Sequence, residues 1–221
     1  MNRVEIKNKA KEMIRDNKWF LWKPVLIIGL AVAIIEGIAF GLDSALGLTQ
    51  TTTTEVLGVK TTSTSAGVIS MIVGVFTGLA SAAFYVGYAK YVLSFVRGKK
   101  LELKDIIDFM KKYWVVAFLV SLITGLIIVC GTILLVIPGI IAAIGLMFYQ
   151  EVCADNPEMK AMDIVKKSWE MTKGHKMDLF VMGLSFIGWS MLASLTLGIL
   201  YIWLMPYMIV AFTLAYEELK K

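Results

Sequence analysis

From Trp114 to Cys153 about 40 residues run on almost wholly apolar, and a stretch of that kind has few physical homes. As one helix it would extend about 60 Å, twice the roughly 30 Å hydrocarbon core of a bilayer. Ile137-Pro138-Gly139 stands near its middle. Proline disfavours helix in the residue before it, and glycine permits a turn. The stretch therefore reads as two membrane crossings, from about 114 to 136 and from about 139 to 152, broken at Pro138.

Shorter apolar runs fill most of the rest. Hydrophobic residues are 58% of the 221 positions and the mean hydropathy is +0.74, well above a soluble domain. In hydrocarbon only helices or closed barrels satisfy their own backbone, and runs without alternation point to helices. The expectation is an all-α, polytopic protein with six transmembrane helices as three hairpins, forming one membrane domain over 1–221. The hairpins occupy 24–96, 114–153 and 178–216. The first apolar run begins near Pro24, continues too far for a cleaved signal peptide and lacks a small-residue cleavage site. Proline tolerates the first turn of a helix, so Pro24 is expected at the start of the first span, and Pro206 is expected to kink the last.

A basic amphipathic segment precedes each hairpin, over 1–23, 97–113 and 154–177. In the first, Ile6, Ala10, Met13, Ile14 and Asn17 form a stripe among lysines and arginines. In the second, Leu103, Ile106, Ile107 and Met110 do so. In the third the stripe is Ala161, Met162, Ile164, Val165, Ser168, Trp169 and Thr172, with Asp155-Asn156-Pro157-Glu158 as a helix start and Gly174 as its stop. All three are expected at the interface, apolar face toward the inner leaflet.

Charge sets the orientation. With both termini cytoplasmic, 21 of the 22 Lys and Arg residues fall inside and only Lys60 outside. Basic residues concentrate on the cytoplasmic side of membrane proteins, and a five-span chain would lose this asymmetry. The same placement accounts for the pI near 9.1 without nucleic acid.

The Thr-rich outer loop 43–66 is the compositional exception. TTTTEV and VKTTST around Leu57-Gly58 fit two short strands, and equally a disordered loop. Gly74, Gly78 and Ala82 give the second span a small-residue face that a neighbouring helix can approach. Cys130 and Cys153 fall in opposite leaflets, so both are expected as free, buried thiols.

The motifs LLVIPGII (134–141), ADNP (154–157), KSWEMTKGHK (167–176), LSFIGW (184–189) and YIWLMPY (201–207) occur in that order. Together they resemble the uncharacterised bacterial integral membrane family called domain of unknown function 975. The resemblance covers the last 90 residues or so, with a weaker continuation through FVRGKK (95–100). It implies a six-helix protein of the bacterial cytoplasmic membrane and no reaction.

No catalytic, metal or cofactor constellation is present in the pattern. His175 is the only histidine, and Ser168, Ser185 and Ser190 have no basic partner nearby in sequence. Glu36 is a candidate intramembrane site, since an acid within a span is costly and can bind a cation or relay a proton. Candidate contacts to anionic lipid are Lys90, Lys99, Lys100, Lys166, Lys167, Lys173, His175 and Lys176. Trp169, Trp189, Trp203 and Tyr207 are candidate groove aromatics. The expected role is non-enzymatic, acting through membrane lipids or a protein partner (immunity, envelope stress or assembly), with a homo-oligomer open. The alternative is a small transporter, channel or lipid flippase using Glu36.

Overall fold

The computed structural model describes residues 2–15, 17–56, 59–99 and 101–220, without the side chains of 18, 50, 52–56 and 59–63. Nine helices and one strand pair occur among them. In chain order they are α1 Arg3–Arg15, α2 Lys18–Ala45, β1 Gln50–Val56, β2 Val59–Ser65, α3 Val68–Val96 and α4 Leu103–Leu134, followed by α5 Val136–Gly145, α6 Tyr149–Asp155, α7 Ala161–Met171, α8 Lys176–Leu195 and α9 Tyr201–Leu219. Among the described residues six segments are long and apolar enough to cross a bilayer: Trp19–Ala45, α3, α4, Val136–Asp155, α8 and α9. The chain is a multi-pass membrane protein. It forms two compact units, Lys23–Ser81 and the rest.

In the smaller unit the Thr-rich segment is an antiparallel pair, registered from Gln50 against Ser65 to Val56 against Val59. The expected turn residues Leu57 and Gly58 lie outside the described residues. The ends of this loop are tied by Asp43 near the close of α2. Its carboxylate accepts from the Ile69 and Ser70 amides, at 3.1 and 2.7 Å, and from the Ser70 hydroxyl at 2.6 Å. The first amides of a helix have no internal acceptor, so a residue 27 positions upstream caps α3. The cap also requires Gly67, because a Cβ there would lie 2.9 Å from Asp43 Cβ. No atom comes within 4 Å of where a side chain would start at Gly74 or Gly78, so the small-residue face meets no neighbour there.

In the larger unit, the apolar stripes of the amphipathic segments are spent on protein, not on lipid. The α1 stripe buries Ile6, Ala10 and Ile14, and α1 runs antiparallel along α9, with Asn2 at Glu218 and Lys11 at Tyr207. The α7 stripe buries Ile164, Val165, Ser168 and Thr172 against α4, α5 and α6, leaving Met162 and Trp169 outside. In the second segment Ile106 and Phe109 are buried, whereas Ile107 is exposed. Side chains three and four apart share a helix face, which favours Phe109 with Ile106. The expectation of apolar faces turned to the leaflet is therefore corrected for all three.

The second segment is also no separate helix. It continues into its span as α4, bent at Tyr113, where φ is −118° and ψ 16°. The break expected at Pro138 falls instead at Leu135, which is extended between α4 and α5. Proline's ring crowds the carbonyl four residues earlier and removes a ladder donor, and a break just upstream of Pro138 relieves both. Three residues after the break, its missing N–H falls in the first turn of α5 and costs nothing. Gly131 and Gly139 let the two helices fold back closely, since a methyl at Gly139 would sit 2.8 Å from Thr132 Cα. The second crossing is itself divided into α5 and α6.

Two other prolines lie beyond the first turn of their helices, Pro24 in α2 and Pro206 in α9. Pro24 is thus not at a helix start, because α2 begins at Lys18. Each leaves the carbonyl four residues back without its ladder donor, and each carbonyl is taken by an aromatic side chain. Tyr91 Oη donates to Phe20 O at 3.1 Å and Trp22 Nε1 to Ile202 O at 2.8 Å.

Candidate functional site

The densest polar structure is a charge cluster at the ends of α3, α6 and α9. Arg97 follows α3 and lays both terminal nitrogens on the Asp155 carboxylate, at 2.8 and 2.7 Å. The same guanidinium reaches Glu217 through Nε at 3.0 Å. Lys220 Nζ and Tyr216 Oη both donate to Asp155 Oδ2, at 2.6 and 2.9 Å. The Asp155 side chain is only 10% exposed, so it is a buried acid surrounded by donors. Its hydrogen bonds hold the Arg97 pKa above the ordinary guanidinium value. The cluster joins three helix ends through one shared carboxylate, as a clamp would.

Asp155 is therefore not the helix cap expected from ADNP. Its carboxylate is committed to Arg97, Lys220 and Tyr216, and α7 starts only after Lys160. Asn156 closes α6 instead, its Nδ2 donating to Val152 O at 3.0 Å.

The predicted lysines divide into two groups. Lys90 Nζ sits 4.3 Å from the Phe109 ring centre and Lys176 Nζ 3.1 Å from that of Trp169. Lys167 reaches Asn156 Oδ1 at 3.4 Å. These three are occupied by the protein. Lys99, Lys166 and Lys173 are exposed and have no ion-pair partner among the described residues, and Lys100 lies outside those residues. His175 Nδ1 lies 3.7 Å from Asp178, whose carboxylate also faces Arg3 at 3.8 Å.

The four aromatics do not form one groove. Trp189, Trp203 and Tyr207 form a row of tilted rings, with centroids 6.2 and 5.1 Å apart, and Phe186 continues it edge-on 5.1 Å beyond Tyr207. Lys7 and Lys11 of α1 cover Phe186 and Tyr207. Trp169 belongs elsewhere, flat against Gly145 and Lys176. Glu36, in the smaller unit, accepts a 2.8 Å hydrogen bond from Thr77 of α3. Cys130 is exposed, which corrects its expected burial, and Cys153 is buried; both are free.

One pairing could not be read from sequence. Lys7 Nζ lies 2.9 Å from Ser185 Oγ, although 178 residues separate them. A Ser–Lys nucleophile needs the hydroxyl to donate to a neutral amine. Here Ser185 spends its proton on Met182 O at 2.6 Å, so lysine is the donor. The arrangement is that of an ammonium held by a hydroxyl and the face of one ring, Phe186.

Residues 126–221 match the family described as a protein of unknown function, DUF975. The match takes in α5 to α9, and with them Asp155, Trp169, Tyr207 and Lys220. It agrees with the motif-based resemblance over the C-terminal part of the chain. No curated protein and no solved structure matches the chain. DUF975 supplies no activity, so function has to be argued from the residues.

Proposed function

We propose that the protein is a non-enzymatic component of the bacterial plasma membrane that acts through its lipid or protein partners. Six crossings as three hairpins would put both termini in the cytoplasm. That orientation would bring Lys99, Lys166 and Lys173 to the inner leaflet, where anionic headgroups attract basic side chains. The observation that carries this reading is the division of the lysines. Lys7, Lys11, Lys90 and Lys176 lie on aromatic rings, whereas Lys166 projects from α7, whose Ile164, Val165 and Ser168 are buried, and Lys173 lies in the turn just beyond it. A helix seated in that way presents charge to headgroups and does not wedge into the acyl chains.

The test is to purify the protein in mild detergent and identify what remains bound by native mass spectrometry. Anionic phospholipid retained in preference to zwitterionic lipid supports the reading. A bare protein, or one carrying only a second polypeptide, would overturn the lipid arm and leave the protein-partner arm. A transporter, channel or flippase is the second reading, favoured by the Thr77 hydrogen bond that holds Glu36 between two apolar helices. Glu36→Gln decides it: collapse of a phenotype or flux with expression intact favours transport, and an unchanged phenotype removes it.

A further inference from the structure

Two hollows of the larger unit meet at Trp169. One, of about 310 Å³, has Ile127 of α4, Leu146, Met162 and Val165 as its apolar walls and Lys166 at its rim. The other, of about 630 Å³, is lined by Lys173, Gly174, Lys176 and Met177. Trp169 and Glu170 border both. The wall between them is the Trp169 indole, which lies close to the Gly145 backbone and has the Lys176 ammonium over its ring. A Cβ at residue 145 would collide with that ring, so the glycine permits the arrangement.

We propose that the two hollows together bind one anionic glycerophospholipid. An acyl chain would lie in the hollow beside Ile127, and the phosphate would lie between Lys166 and Lys173. The proposal rests on the lipid-partner reading above and narrows it to one place. Three observations support it. The apolar hollow opens beside a helix that crosses the bilayer, at residues that are partly exposed: Ile127 39% and Met162 49%. The site carries three lysines against one carboxylate, Glu170, so its local charge is positive. Lys176 is engaged by the face of Trp169, which leaves Lys166 and Lys173 as the site's cations without an ion-pair partner among the described residues. An occupant must therefore be apolar at one end and anionic at the other, with the two parts an indole's width apart. An anionic peptide satisfies the charge but leaves the hollow beside Ile127 unfilled.

The experiment titrates full-length protein in mild detergent with phosphatidylglycerol and phosphatidylcholine of equal chain length, read by native mass spectrometry. Wild type is expected to bind one phosphatidylglycerol ahead of all others. Lys166→Gln with Lys173→Gln should weaken that first event by about tenfold or more, as two lysines near a headgroup imply. Lys166→Arg with Lys173→Arg should retain it, which guards against a folding artefact. The control, Lys9→Gln with Lys111→Gln, removes the same charge elsewhere and should leave it unchanged. Equal losses in the site and control pairs overturn the site while leaving the general lipid reading standing. No preference for phosphatidylglycerol in wild type overturns both. Glycerol phosphate competing as well as the lipid would show that the hollow beside Ile127 holds no chain, and would also overturn the site.

Discussion

The indole of Trp22 donates to the carbonyl of Ile202 at 2.8 Å, the one carbonyl that Pro206 leaves without a partner in α9. A backbone carbonyl without a donor is expensive in a medium that has no water. Trp22→Phe keeps the ring and removes the donor. It should lower stability by about 1–3 kcal/mol. Pro206→Ala restores the N–H at position 206, so Trp22→Phe should cost far less in that background. Thermal unfolding of the four proteins in detergent checks the coupling, and equal losses in both backgrounds would refute it.

Asp155 and Arg97 should not be equivalent at their shared cluster. Asp155→Ala leaves Lys220 without its carboxylate and Arg97 with Glu217 alone, and should cost about 3 kcal/mol, the low end for a broken buried pair because both cations are partly exposed. Arg97→Ala leaves Asp155 with Lys220 and Tyr216 and should cost clearly less. Melting temperatures of the two variants give the ordering, and the reverse order would contradict the clamp.

The fold-back of α5 on α4 depends on Gly139. Gly139→Ala places a methyl 2.8 Å from Thr132 Cα and should cost about 1–3 kcal/mol. Gly125→Ala, where nothing lies within 4 Å, should change stability by no more than about 0.5 kcal/mol. Comparing detergent melts of the pair separates close approach from a general effect of glycine replacement.

Local regularity made part of this legible in sequence. The Ile6, Ala10 and Ile14 stripe follows the helical period, and α8 ends at Leu195 as the apolar run does. Gly174 stops the basic segment with φ +85°, a conformation glycine enters freely. The partner of each stripe was not legible, since amphipathicity specifies an apolar surface and leaves open whether lipid or protein covers it. Nor were the long pairings. Arg97 with Asp155 and Asp43 with Ser70 join residues 58 and 27 apart, and no period links such positions. Pro138 signalled a break, but its steric conflict acts on the carbonyl four residues earlier, so the chain opens at Leu135. Lysines on ring faces were hidden for the same reason: composition counts a charge, and only the fold shows what it rests on.

The proposed role requires the free lysines to face the cytoplasm, and side-specific reporters test that most directly. One reporter follows residue 56 in the Thr-rich hairpin, and another follows the C-terminus. An external signal is expected at the first and a cytoplasmic signal at the second. A C-terminus outside the cell, or both reporters on the same side, would contradict the six-span orientation and the lipid reading built on it.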